Sequence, residues 1–383
     1  MYQPSDRRTF DHAPAWAKVP QLVGCWFRVS PLSFLDSCLP VFPCVKQLTS
    51  QTGRIRWYMS NRFKNATIAC FLLLLPVTVA KKVDFDEERA RVALEFAATA
   101  YAIDPVHCLV KNRAFILYQI RLPCDYMKDE CWGLIALTKK QIIVSFRGTK
   151  SKEQLVTELV ESIGKPKHRI HAGGSVHYYF YSALRAIWPQ MSHLLHFWIN
   201  MLPHKEIIFT GHSLGGALAS LASTIFVHKF PEISNRTHLI TFGQPRVGNF
   251  EYAQTHDRLI PSSWRLVHGA DIVPHVPMCV ESVKRPISCI PFYNHGSYHH
   301  GTEIWFPNEM SDTDEYRICT GDPVNEDNSC SNSHRAFDIF DHLFYFGHHV
   351  SDYGNNGCIE PESPRNYTRK RTKLWSNYYK ILY

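Results

Sequence analysis

The pentapeptide Gly211-His212-Ser213-Leu214-Gly215 stands where an apolar run, residues 206–210, ends and a small-residue run, residues 216–222, begins. That context reads as strand, sharp turn, helix, and a serine held on such a turn projects its hydroxyl clear of the sheet. Glycines flank it because side chains there would meet the neighbouring strand and helix. Ser213 is therefore the candidate nucleophile, and acyl transfer is the chemistry it suggests. The bare G-x-S-x-G pattern arises by chance about 0.1 times in a chain of this length, so its weight comes from the strand before it and the alanine-rich helix after it.

A serine hydroxyl needs a neutral imidazole to take its proton and a carboxylate to fix the tautomer of that imidazole. On this kind of turn the chain order is Ser, then Asp or Glu, then His. Asp271 is the best acid: it ends the apolar run Leu266-Val267-His268 and precedes Pro274, which enforces a turn. Eight histidines follow it, and chemistry alone leaves His299, His300 and His342 all open. The tetrahedral intermediate of ester cleavage also needs donors for its oxyanion, and the backbone N–H of Leu214, next after the nucleophile, is one on mechanical grounds.

The elements that must position these residues are legible as alternation. Residues 84–102 place Phe85, Ala90, Val92, Ala93, Phe96 and Ala97 at helical spacing, with Asp84, Asp86, Glu87 and Glu88 in the opening turn, where they oppose the helix dipole. Residues 141–146, 206–210, 238–242, 265–268 and 302–306 are rich in β-branched and aromatic residues and read as strands; residues 181–200 and 216–230 read as helices. The expected fold is α/β, a mainly parallel central sheet with helices on both faces and the nucleophile turn at a strand's C-terminal edge. Residues 151–163 carry Leu155, Val156, Leu159, Val160 and Ile163 on one helical stripe. Such a stripe either covers the core or forms a short helical lid whose apolar face turns toward lipid.

At 383 residues, with 45% hydrophobic and 13% aromatic content, the chain can bury a large core in one catalytic domain with extensions. The net charge of +8 is spread out, apart from a tail holding Arg365, Arg369, Lys370, Arg371 and Lys373, which suits a solvated end or an anionic membrane surface. No recognised motif accompanies that charge, which argues against nucleic acid as a partner. Twelve cysteines without a C-x-x-C pair point to an oxidising compartment rather than zinc or cytosolic redox chemistry.

Arg62-Phe63-Lys64, an apolar stretch over residues 66–80 and the ending Thr78-Val79-Ala80 form a basic region, a hydrophobic region and a small-residue cleavage site. The expected organisation is an upstream extension at 1–58, a signal peptide at 59–80 starting at or near Met59, a domain at 81–358 and a basic tail at 359–383. A membrane signal anchor and a buried strand are the alternatives for 66–80. Removing residues 1–80 leaves Cys108, Cys124, Cys131, Cys279, Cys289, Cys319, Cys330 and Cys358, an even set with on the order of a hundred possible pairings. Two N-x-T sequons, at Asn235 and Asn366, suit a secreted glycoprotein.

Five ordered blocks carry a resemblance. Phe146-Arg147-Gly148-Thr149, Thr210 to Ala217, Thr241 to Asn249, Asp271 to Pro277 and Asp341 to Gly347 are similar to signatures of the class 3, fungal-type triacylglycerol lipases, which have the α/β-hydrolase fold. The resemblance implies Ser213 as nucleophile, Asp271 as acid and His342 as base, makes His299 structural, and adds Thr149 to Leu214 in the oxyanion hole. It also implies the disulfides Cys108–Cys358, Cys124–Cys131 and Cys319–Cys330. Cys279 and Cys289 then remain as an extra bridge or a free buried pair. The lid stripe lacks the tryptophan common in the family, and Tyr179 stands where a glycine is common, departures that bear on interfacial activation and on the acyl groove.

The expected protein is a secreted serine lipase, a monomer with no metal or organic cofactor, hydrolysing acylglycerol esters at a lipid–water interface. A soluble carboxylesterase or a phospholipase A1 of the same fold is the close rival. An inactive lipid-binding relative is the rival of another class, although such a chain would be expected to have lost a triad residue.

Overall fold

In the computed structural model, residues 84–124, 130–149, 167–282, 288–290, 296–334 and 336–359 are described. The lid residues Leu155, Leu159 and Ile163, the sequon at Asn366, the signal-peptide segment and all but the first residue of the basic tail lie outside them. Asn235 is exposed on a short 3-10 turn. Among the described residues no helix is long and apolar enough to cross a membrane.

The first helix begins where the side chain of Asp86 accepts the backbone N–H of Arg89 at 3.1 Å, with Glu87 and Glu88 in the first turn. A capping acceptor and carboxylates at a helix N-terminus satisfy free N–H groups and oppose the dipole. Helix α1 (Glu87–Thr99) is followed by α2 (Val106–Lys111), by strands β1 (Phe115–Pro123), β2 (Glu130–Leu137) and β3 (Gln141–Phe146), and by a hairpin of β4 (Lys167–Arg169) and β5 (Ser175–His177). Then come α3 (Tyr178–Met201), β6 (Glu206–His212), α4 (Leu214–Lys229), β7 (Thr237–Phe242), α5 (Phe250–Leu259), β8 (Ser262–His268), β9 (Thr302–Phe306) and β10 (Arg317–Cys319). Helix α6 (Ile339–Leu343), the ribbon β11 (Phe344–Tyr345) with β12 (His348–His349), and α7 (Val350–Asn355) follow. The first helix stops at Thr99, short of the expected 102, and α3 and α4 begin at 178 and 214 rather than 181 and 216.

The eight-stranded sheet has the order β1-β2-β3-β6-β7-β8-β9-β10. From β3 to β9 the pairing is parallel, and the sheet is extended antiparallel by β2 and β1 at one edge and by β10 at the other. The central strands are buried on both faces because their side chains alternate between two cores. Ile142, Val144, Ile207, Phe209 and Leu239 pack toward α3 and α4, while Ile143, Ile208, Ile240, Phe242 and Leu266 pack toward α1. Crossovers of this kind bring the ends of β3, β6, β7 and β8 to one edge of the sheet, where ligands of such folds bind.

Disulfides join Cys108 to Cys358, Cys124 to Cys131, Cys279 to Cys289 and Cys319 to Cys330. The first spans 250 residues and ties α2 to the residue that follows the turn after α7. A bridge over so long a loop removes roughly 5 kcal/mol of unfolded-chain entropy, and measured gains are typically about 2–4 kcal/mol. The Cys108→Ser/Cys358→Ser protein should therefore melt about 5–15 °C lower by calorimetry, while turning over substrate normally at low temperature. An unchanged melting temperature would show that the bridge constrains nothing.

Candidate active site

Strand β6 ends at His212 and α4 starts at Leu214, leaving Ser213 alone to make the turn. Its φ of 59° and ψ of −129° lie where side chains other than glycine rarely sit, a strain sustained only when the surroundings enforce it. They do so here: the Ser213 N–H donates to the Phe242 carbonyl at 2.9 Å. A Cβ on Gly211 would run into the Gly215 backbone, and one on Gly215 into the backbone at Phe146 and Arg147. The strand and helix approach too closely for side chains on either side of the serine. Its hydroxyl is buried and has no hydrogen-bond partner among the described residues.

Asp271 sits just beyond β8, and its carboxylate is fully satisfied. One oxygen accepts the Val273 N–H at 2.8 Å; the other accepts the Tyr345 hydroxyl at 2.6 Å and lies 2.9 Å from Nδ1 of His342. Burial alone would push this carboxyl up, but the attraction of His342 and the three donors win, and its pKa is lowered. An ionised carboxylate only accepts, so Nδ1 of His342 carries the proton and Nε2 presents a lone pair. Nε2 is buried and has no partner among the described residues. The backbone leaves room for this pair at Gly243, whose φ is 57° and where a Cβ would stand 2.6 Å from His342 Nδ1 and 2.7 Å from Asp271 Oδ2. Neither the Ser213 hydroxyl nor Nε2 of His342 has a hydrogen-bond partner among the described residues, and hydrogen bonds between catalytic groups are often open in sites without substrate.

The loops that carry Asp271 and His342 are pinned to each other. Asp341 Oδ2 accepts the Ala270 N–H at 2.8 Å, and the Asp338 N–H donates to the Ala270 carbonyl at 2.7 Å. From the other side, Arg246 forms a buried two-point pair with Glu326 at 2.7 and 2.8 Å and donates to the His275 carbonyl at 2.7 Å. Glu326 also accepts the His299 N–H, and His299 Nε2 donates to the Pro274 carbonyl at 2.7 Å, so that histidine braces the loop that carries Asp271. His300 is tied to Ser220 at 2.7 Å, deep under α4. Leu214 opens α4, where a helix leaves its first N–H groups without intrahelical acceptors. Half-buried Thr149 follows Gly148, which abuts Ser213.

Sequence reasoning did not single out Tyr345, Arg246 or Glu326, although Tyr345 and Arg246 stand inside two of the blocks. Their partners are 74 and 80 residues away, beyond any local pattern. Glu303, Cys319 and Cys330 form the cluster of metal-ligating types among the described residues, and both its sulfurs are in a disulfide, which leaves no thiolate for a metal.

Several of these histidines are buried and neutral. Burial pushes His212 and His256 down to about 3 and His275 to about 4, and holds His299 and His300 well below the usual range. Their folded values are depressed, so the stability tied to them is complete above the unfolded value of about 6.5 and is lost as pH falls toward their folded values, because the unfolded chain then binds protons the folded one refuses. The melting temperature should decline steadily from pH 6.5 to pH 4. A flat profile across that window would contradict the neutral burial of this set.

The model of the family "Lipase (class 3)" matches residues 143–281. A lipase of Caenorhabditis elegans is 34% identical over 325 residues, 77% of this chain and 91% of that protein. A lipase of Rhizopus niveus is 33% identical over 223 residues, covering 58% of this chain and 50% of that one. The solved structure of lipase II from Rhizopus niveus superposes with a TM-score of 0.56 at 26% identity, over 71% of this chain and 96% of that chain. Since the family model and a relative aligned along nearly its whole length agree, the chain belongs to the class 3 lipases, carboxylic ester hydrolases of lipid substrates on the α/β-hydrolase fold.

Proposed function

We propose that the protein is a secreted serine lipase that hydrolyses acylglycerol esters through an acyl-serine intermediate. The observation that carries the reading is the buried Asp271–His342 pair, whose Nε2 has no partner among the described residues, in a fold that also holds an unpartnered serine hydroxyl on a strained turn. Ser213 Oγ attacks the ester carbonyl and gives its proton to Nε2 of His342. Asp271 holds that ring's tautomer and balances the imidazolium, with Tyr345 steadying the carboxylate. The backbone N–H of Leu214, together with Thr149, takes the oxyanion. The imidazolium then protonates the departing alkoxide of the glycerol, and a water, deprotonated by the same ring, releases the fatty acid and restores the serine.

Four disulfides and the signal-like segment 59–80 support an extracellular protein made of the 81–358 domain and the 359–383 tail, without residues 1–58, glycosylated at Asn235 and Asn366. Residues 151–163, between Thr149 and β4, are assigned as a lid whose stripe Leu155, Leu159 and Ile163 meets lipid.

The test is a specific-activity profile of the mature protein and its Leu159→Glu variant on emulsified long-chain triacylglycerol and on a dissolved short ester. A lid predicts a loss about tenfold greater on the emulsion than on the dissolved ester. Equal loss on both with a lower melting temperature would make the segment a core helix. A mature enzyme active only on the dissolved ester would make the protein a carboxylesterase.

A further inference from the structure

A second imidazole lies against the base. His212, the residue immediately before Ser213, is buried with its ring stacked on that of His342, centroids 4.6 Å apart and planes 27° from parallel. Its Nε2 stands 2.7 Å from the backbone carbonyl oxygen of His342, and its Nδ1 stands 2.9 Å from the hydroxyl of Tyr101. A carbonyl only accepts, so Nε2 carries the proton, Nδ1 offers a lone pair, and Tyr101 is the donor. The hydrogen bonds therefore run one way, from Tyr101 through His212 to the main chain of His342. Tyr101 follows α1, and its hydroxyl also occupies the space a Cβ on Gly148 would need, against the loop that leads to Thr149.

We propose that Tyr101 and His212 are positioning residues for the general base, locking the main chain of His342 and walling one side of its ring so that nucleophile, base and oxyanion loop share one support. The inference rests on the catalytic reading of Ser213 and His342. Its physical need is plain. His342 sits on a helix of only five residues, and among the described residues its ring is hydrogen-bonded at Nδ1 alone. One anchor leaves the ring free to swing about that bond; a second, on its own carbonyl, together with a stacked plane, removes the swing. Because His212 adjoins Ser213 in the chain, the position of the base is referenced to the nucleophile rather than to a distant loop. Burial keeps His212 uncharged, so it places no positive charge beside the imidazolium that forms.

Glutamine is the informative replacement, since its carbonyl can accept from Tyr101 while its amide N–H donates to the His342 carbonyl; methionine keeps the bulk and loses both. On a dissolved p-nitrophenyl ester, His212→Met should lower kcat about ten- to a hundredfold with KM within about twofold, and His212→Gln should recover to within about fivefold of the parent. A His212→Met enzyme with the parent kcat, or a His212→Gln enzyme as slow as the methionine variant, would overturn the proposal. Should His212→Met not fold, Tyr101→Phe loses a single hydroxyl and is expected to lower kcat about three- to tenfold while lowering the melting temperature by roughly 2–10 °C, which leaves the enzyme folded at assay temperature; parental kcat there overturns it equally. The acid limb of the pH–rate profile should persist in His212→Gln. Its disappearance would make His212 the base and the proposal wrong. Ser213→Ala, run alongside, separates the two ideas: activity in that variant removes the catalytic reading itself, whereas an inactive Ser213→Ala beside a fully active His212→Met removes only the inference about His212.

Discussion

Ser213→Ala is expected to lower turnover of a p-nitrophenyl ester by about ten-thousandfold or more, leaving the residual rate that an oxyanion hole and binding supply without a nucleophile. The fold should survive, because only a hydroxyl with no hydrogen-bond partner among the described residues is removed and the turn is held by the Ser213 N–H on Phe242 and by the close packing of Gly211 on Gly215. A reactive phosphonate ester should add about one equivalent to the parent, on the peptide bearing Ser213, and nothing to the variant. Ser213→Gly sharpens the result. Glycine accepts a φ of 59° without the strain that a Cβ brings, so that variant should be as inactive as alanine and melt higher than it. Retention of activity within about tenfold in either variant, or a phosphonate adduct elsewhere, would move the nucleophile to another residue.

The sheet's centre and the sharp turn at Ser213 were legible for the same reason: both are local. Strands such as residues 141–146 and 302–306 are runs of β-branched and aromatic residues, and the structure ends them at the same residues. Ser213 announces itself through glycines whose necessity is a contact four residues away, Gly211 against Gly215. The antiparallel edges were not legible. Strand β1 is half exposed along most of its length and never alternates cleanly, because an edge strand with one partner buries no regular face. The expected start of helix α4 was two residues late because Gly215, read in isolation, looks like a turn residue, whereas here it lets the helix approach the end of β3, as Gly216 lets it approach β7 and the loop after it. Choosing a candidate base was hardest of all. Asp271 and His342 are 71 residues apart and meet through loops clamped by Asp341 and Arg246, none of which leaves a periodic trace; only the resemblance of the Asp341–Gly347 block separated His342 from His299 and His300.

That choice predicts a divergence between two histidines. His342→Ala should lower kcat by about ten-thousandfold or more, far beyond what its smaller loss of stability from the cavity beside His212 accounts for, since a triad acts as a unit and loss of its base leaves the serine protonated. What the substitution strands is Nδ1's partner, Asp271, whose carboxylate keeps the Val273 N–H and the Tyr345 hydroxyl and so stays satisfied. His299→Ala should act the other way round. It deletes a buried donor to the Pro274 carbonyl and opens a cavity between the acid loop and the Arg246–Glu326 pair, which should cost about 2–4 kcal/mol of stability. Turnover by the fraction that remains folded should fall less than about tenfold, because Asp271 keeps its own three donors. Measuring kcat and melting temperature for both variants on one preparation distinguishes the roles: an active, folded His342→Ala enzyme would return the base to the other histidines, and a stable, inactive His299→Ala enzyme would name its replacement.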